Sequence, residues 1–205
     1  MKLIMEKISV TTANCPLNIA KLMTLNIPDL APIYGGIRGR TMSSRHQSYA
    51  WPIIKECGIH TIIDLRADGI RSHLSEICEK YGMKYFHYPI DLEASSIEHA
   101  VKYFPQLCEI IDAGNFYISC AMGLHRTDIA LCCYWIFYGA SKGMSAPDIR
   151  GYREKDGHDV NKIMRVVNAF YKCMSAMTGE APFTLETLNR RKKIITEKAR
   201  SQIIV

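Results

Sequence analysis

No stretch of this 205-residue chain approaches the ~20 consecutive apolar residues that a membrane-crossing helix needs. A helical span is therefore excluded. Residues 1–19 mix acidic and basic side chains and carry no small-residue cleavage site after an apolar block, so no leader is read there. The cytoplasm is the expected location. None of the eight cysteines forms a Cys-x-x-Cys pair, which argues against a zinc knuckle. An even cysteine count signals a disulfide framework in short secreted chains, a class this sequence does not fit. Seven buried thiols and one special cysteine are expected instead. Internal repeats and low-complexity tracts are also missing. Aromatics are sparse at 9%, against 48% apolar and 22% charged residues, a globular balance at a length that supports one good-sized core.

Charge of one sign is only mildly in excess, at +6 with a pI near 8.9. Such a chain suits anions in general. Part of the excess lies at residues 180–205, where Arg190, Arg191, Lys192, Lys193, Lys198 and Arg200 face Glu180, Glu186 and Glu197. A solvated helix face is the expected reading, with a docking surface for an anionic partner as the alternative. Neither nucleic acid nor membrane is expected as a partner, and the oligomeric state is not legible.

Periodicity gives the elements. Residues 1–30 read as irregular. Pro32 to Arg38 reads as a strand interrupted by glycines, and Gln47 to Cys57 has helical spacing. His60 to Leu65 is a compact β-branched run, the pattern of a buried strand. Ser72 to Tyr81 reads as a helix stopped by Gly82, and Lys84 to Pro89 as another strand. Ser95 to Ala113 has a capping box (Ser95, Glu98), an apolar stripe, a kink expected at Pro105 and a stop at Gly114. Phe116 to Ser119 reads as a short strand. Thr127 to Tyr138 is apolar all round, so it is expected as a central buried helix. Asp159 to Thr178 and Thr184 to Ala199 complete the helices. Alternating strands and helices predict an α/β fold with a central, mostly parallel sheet flanked by helices.

The chemistry is expected where the Phe116 strand meets the buried helix, in Ser119-Cys120-Ala121-Met122-Gly123-Leu124-His125-Arg126-Thr127. A cysteine six residues before an arginine is weak on its own. Context gives it weight: an apolar strand ends at Cys120, a glycine sits in mid-loop, and a helix begins near Arg126. A loop entering a helix N-terminus aims several backbone N–H groups at one spot, and the helix dipole adds positive potential there. Such a place binds a phosphate dianion. The same field favours a thiolate at Cys120. Gly123 permits a tight curl. Arg126 can fork two donors onto two phosphate oxygens. The Thr127 hydroxyl is close enough in sequence to hydrogen-bond the thiolate.

Cys120-x(5)-Arg126-Thr127 resembles the signature loop of the protein tyrosine phosphatase superfamily, closest to its small, atypical dual-specificity members. Ile62-Ile-Asp-Leu-Arg66 is similar to the Ile-Asp-Leu-Arg strand and loop of that group, and Tyr85-x-x-Tyr-Pro-Ile-Asp91 to the strand that carries its acid loop. The resemblance covers about residues 30–175. It implies a cysteine-dependent phosphatase working through a phosphocysteine, with no metal and no cofactor. Cys120 would be the nucleophile and Arg126 the clamp. Ala121, Met122, Gly123, Leu124, His125, Arg126 and Thr127 would bind the phosphate. Asp91, 29 residues before Cys120, is the best general acid; Asp64, Asp68 and Glu93 are rivals, with Asp64 expected as a structural carboxylate beside Arg66 and Asp68 as a turn residue.

The substrate would be a phosphorylated protein or a small phosphate ester. Inositol phosphates are an alternative made less favourable by Leu124, where inositide-specific members often carry lysine. The implied domain plan is a capping extension over 1–30, a phosphatase domain over 31–178, and a basic helix over 179–205 packing on or extending from it. Two positions depart from the family pattern. Ser119 stands where the family has histidine, which removes one aid to thiolate formation. Asp128 stands where it has glycine, a place that the helix dipole favours for a carboxylate but a bound phosphate opposes. Both lower the expected efficiency, and they motivate a second reading as a catalytically weak pseudophosphatase that binds phosphorylated partners. A third reading, a sulfur-transfer or arsenate-reducing enzyme, is opposed by the Arg126-Thr127 ending. His125 could meet substrate or solvent. His87 is expected as a satisfied core residue, and Cys132 and Cys133 as packing. The basic stretch from Arg38 to Arg45 is expected as a solvated loop, with a place at the site entrance as the alternative, and residues 152–159 could flank the site.

Overall fold

The computed structural model describes residues 16–42, 49–67, 72–90, 97–151 and 160–202. Its centre is a five-stranded sheet: β1 (Ala31–Ile33), β2 (Gly36–Arg40), β3 (Thr61–Asp64), β4 (Lys84–His87) and β5 (Phe116–Cys120), in the order β1-β2-β5-β3-β4. Only the β1–β2 pair is antiparallel. The run Pro32–Arg38 is thus two strands rather than one broken by glycines. Tyr34 (φ 47°) and Gly35 (φ 74°) make the two-residue turn between them, and positive φ at both turn positions matches the twist of the flanking strands.

Helices cover both faces. On one lie α1 (Ile19–Met23), α2 (Ala50–Glu56) and α3 (Ser72–Lys80). On the other lie α4 (Ile97–Lys102), α5 (Phe104–Ala113), α6 (His125–Phe137), α7 (Val160–Thr178) and α8 (Leu185–Ser201). Alternation along the strands feeds both layers. Ile62 and Tyr117 point to the α1–α3 side, and Ile63, Phe116 and Ile118 to the α4–α8 side. Strands buried on both faces read as continuous apolar runs, which is why β3 and β5 stand out in the sequence.

The structure differs from the sequence-based expectation in three places. Residues 16–30 are not wholly irregular. Asn18 caps α1 through its side chain, and Leu22, Leu25, Ile27 and Leu30 are buried in the α1–α3 layer. The long helix expected to kink at Pro105 is two helices broken at Tyr103, with Pro105 in the first turn of α5, where its missing N–H costs nothing. Ser95, the expected cap, lies outside the described residues. Helix α8 packs through Leu188, Ile195 and Ala199 into the main core. Its basic side chains partly serve that packing. Arg191 donates to the Ile136 carbonyl and lies over the Phe183 ring, Lys192 reaches Asn168, and Lys198 pairs with Asp148.

Helix α6 is the spine of the second layer. Every residue from Thr127 to Ile136 is buried, as its all-round apolar sequence requires. It follows β5, the middle strand. Its N-terminus therefore opens at the carboxyl edge of the sheet, between the ends of β2 and β3, the place where open α/β sheets bind ligands.

Candidate active site

Cys120 is the last residue of β5, paired in register with Arg40, and is buried. Five residues later α6 begins at His125. Its N-cap, Leu124, makes no side-chain cap hydrogen bond. The amides of Ala121, Met122 and Leu124 make no hydrogen bond among the described residues. Met122 is exposed, Arg126 is half-buried in the first turn, and Thr127 is fully buried with a hydroxyl that has no hydrogen-bond partner among the described residues. Native interiors rarely leave such a group orphaned. An uncapped helix start, a buried cysteine and a lone hydroxyl thus sit in one eight-residue stretch.

Gly123 shapes the loop rather than offering a donor, because its N–H is used inside the turn, on the Cys120 carbonyl at 3.1 Å. Its φ of +71° is a conformation in which glycine carries no steric cost. A Cβ there would lie 2.3 Å from the Gly39 carbonyl carbon and oxygen. Strand β2 is the surface against which the loop rests. Thr41, just after it, donates to the Cys120 carbonyl through its N–H (3.0 Å) and its hydroxyl (2.9 Å), and the same hydroxyl lies 3.1 Å from the Ser119 Oγ. The first part of the Arg38–Arg45 stretch is therefore not a solvated loop. Arg38 and Gly39 are buried strand residues behind the anion loop, and residues 43–48 lie outside the described residues. Sequence reading missed this role because an arginine in a glycine-flanked run carries no signal of burial.

Asp128 does not face a phosphate as an isolated charge. Its Oδ1 accepts from Arg38 Nη2 at 2.6 Å, and its Oδ2 accepts from the Gly151 N–H at 2.6 Å. Both members of the ion pair are buried. Burial pushes the Asp128 carboxyl up, while the Arg38 guanidinium and the Gly151 and Arg150 amides pull against that rise. The repulsion expected from the sequence is thus met by a counter-ion from β2. Gly151 packs so closely that a Cβ would lie 2.6 Å from His125 Cδ2, which fixes the half-buried His125 against the 148–151 segment.

The acid candidates divide. Asp91, Glu93 and Asp68 lie outside the described residues, as does the 152–159 segment. The chain leading to Asp91 is described: β4 ends at His87, and the Ile90 N–H donates to the Leu65 carbonyl at 3.3 Å, at the edge of the sheet where Cys120 ends its strand. Asp64 is buried and held bidentate by Arg66, at 2.9 and 2.8 Å, with a further bond from the Tyr85 hydroxyl. It is a structural carboxylate. His87 Nε2 is 2.7 Å from the Arg66 carbonyl oxygen, a satisfied position. Among the other described cysteines, burial pushes the thiols of Cys78 and Cys108 up to about 12, and those of Cys132 and Cys133 higher still. These are packing residues, not nucleophiles. No group of three or more His, Cys, Asp or Glu among the described residues could hold a metal ion, and no described helix is long and apolar enough to cross a membrane.

No protein-family model and no curated protein matches the chain. Solved structures do. A protein of Shewanella putrefaciens CN-32 provisionally described as a phosphatase superposes with a TM-score of 0.50 at 15% identity, over 74% of this chain and 98% of its own. TpbA of P. aeruginosa gives 0.47 at 13% identity, over 71% and 88%. A Neisseria meningitidis protein with a similar provisional description gives 0.41 at 20% identity, over 80% and 94%. The first of these likenesses shows a shared α/β fold with that protein.

Proposed function

We propose that this chain is a tyrosine-phosphatase-like, cysteine-dependent phosphatase that hydrolyses phosphate monoesters. The observation that carries the reading is the Cys120–Thr127 segment itself, a buried cysteine at the end of the central strand followed by an uncapped helix start. The loop amides of Ala121, Met122 and Leu124, leading into a helix N-terminus, suit a phosphate, and the field there suits a thiolate.

In the proposed reaction the Cys120 thiolate attacks phosphorus, and the bond to the ester oxygen breaks as a phosphocysteine forms. Asp91 donates a proton to the leaving oxygen, then removes one from the water that releases inorganic phosphate and regenerates the thiolate. Arg126 and the amides of Ala121, Met122 and Leu124 neutralise the equatorial oxygens in both steps. The Thr127 hydroxyl, buried and unpartnered, is suited to donate to the departing sulfur. The assignment of Asp91 rests on its spacing and on the place where β4 ends. The substrate class is a phosphorylated protein or a small phosphate ester.

Release of p-nitrophenol from p-nitrophenyl phosphate, in chelator and from pH 5 to 8, tests the reading. Turnover should be blocked by vanadate and vanish in Cys120→Ser. Asp91→Ala should lose ~10²–10⁴ in rate. If Asp91→Ala is near wild type while Asp68→Ala is dead, the acid is reassigned. Stable binding of a phosphopeptide without any release of phosphate would favour the pseudophosphatase.

A further inference from the structure

An anion-binding loop poses a backbone problem of its own. If its N–H groups converge on the ligand, its carbonyls must turn outward, and outward here means into the body of the protein. A buried carbonyl without a donor is costly. Strand β2 and the residue that follows it answer this twice. Thr41 serves the Cys120 carbonyl with two donors, and Arg38 Nη2 donates to the Gly123 carbonyl at 3.0 Å. Arg38 is buried, so its charge requires a partner, and Asp128 supplies it. The pair then spreads. Arg38 Nη1 holds the Asp148 carbonyl at 3.0 Å, and Asp128 Oδ2 holds the Gly151 amide. One neutral ion pair thus ties four pieces together: the strand behind the loop, the mid-loop carbonyl, the first turn of α6, and the 148–151 segment that packs on His125.

We propose that Arg38 and Asp128 are positioning residues for the anion loop, holding the Gly123 carbonyl outward and α6 in register so that the remaining amides and Arg126 meet the phosphate. Within the phosphatase reading this gives Asp128, where the signature has glycine, a constructive part. Because the pair is neutral, its contribution is to geometry. The attraction for the dianion is left to Arg126 and the free amides. A buried pair that binds nothing else is often replaceable by apolar residues without loss of stability. This pair binds a loop carbonyl and two segments besides, so its replacement should be felt locally.

The test compares the full chain with Arg38→Met/Asp128→Leu, which removes both charges and keeps the volume. Backbone hydrogen exchange over residues 118–127 is read together with thermal unfolding and orthovanadate affinity. The expected result is a folded protein melting moderately below wild type, at least tenfold faster exchange concentrated in the loop and first turn, and at least tenfold weaker vanadate binding. Unchanged loop exchange in a folded double variant overturns the proposal, and so does exchange that rises uniformly across the protein. If the double variant does not fold, Asp128→Asn serves. It keeps the shape and weakens the tether, and should raise loop exchange severalfold; no rise there also overturns the proposal. A wild-type chain without turnover sinks the phosphatase reading alone, since the exchange difference is measured without substrate.

Discussion

Helix α6 has a carboxylate cluster at each end, and the two are built to different standards. At the N-terminal end Asp128 is fully buried against Arg38, Gly123 is held at positive φ against a strand backbone, and the Thr127 hydroxyl has no partner. At the C-terminal end Asp112 of α5 accepts from the Tyr134 and Tyr138 hydroxyls and from Lys142, near the surface and with every donor matched. The second cluster is what a fold does to close the end of a helix. The first is more expensive to build: a buried charge pair, a backbone position suited to glycine, and a polar atom that gains nothing in the folded state. Departures from local optimality tend to gather where function is located. Here they gather in the loop after Cys120 and the first turn of α6.

Among changes that test this contrast, the largest expected effect comes from Gly123→Ala. The new Cβ would meet the Gly39 backbone at 2.3 Å, and backbone cannot move aside as a flexible side chain can. The loop must open, and a displacement near 1 Å at a reacting centre costs ~10²-fold in rate. Turnover of p-nitrophenyl phosphate should fall by at least that factor, with destabilisation visible in a melt. Near-wild-type turnover would mean that the loop does not need its contact with β2. That result would break the distinction between the two ends.

A mirrored pair of hydroxyl deletions sharpens it. Thr127→Val removes an unpartnered buried hydroxyl at constant shape. It should leave stability unchanged or raise it by up to about 1 kcal/mol, as replacing an unsatisfied polar group by an apolar one does, while turnover falls. Tyr134→Phe removes a satisfied hydroxyl bonded to Asp112 at 2.8 Å. It should cost about 1 kcal/mol of stability and leave turnover alone. Denaturant unfolding and initial rates on both variants check this. The comparison fails if the two changes move stability and rate in the same directions.

Much of this was legible in the sequence, for physical reasons that differ by element. The central strands β3 and β5 and helix α6 are buried on all sides, so composition alone marked them. The Cys120–Arg126 spacing stood out because a strand ends before it and a buried helix begins after it. Pro32–Arg38 reads as one strand in sequence, because Tyr34 is an unusual residue for a positive-φ turn position. The supporting half of the site was not legible. Arg38 and Asp128 lie 90 residues apart in the chain, and nothing local announces that one neutralises the other. Long-range pairing depends on the register of β2 with β5, which only the fold supplies. From sequence alone, Asp128 reads as a liability for that reason.

The smallest effect concerns the C-terminal end of α6 alone. Partial burial pushes the Asp112 carboxyl up, but the donors from Lys142, Tyr138 and Tyr134 outweigh it and hold the carboxyl below its ordinary value of 3.8. A carboxylate depressed by folding adds stability that is fully present well above its unfolded value and is lost as pH falls through the folded one. Asp112→Asn should therefore melt below wild type at pH 6. The gap should start to close near pH 3.8 and vanish under the depressed folded value. Turnover at neutral pH should be unchanged, because the cluster lies at the end of α6 away from Cys120. Melting temperatures of the two proteins between pH 2.5 and 6 measure the gap. A constant gap across that range would mean that Asp112 acts by packing rather than charge. A fall in turnover would mean that the two ends of α6 communicate, and the contrast between them would then be one of degree.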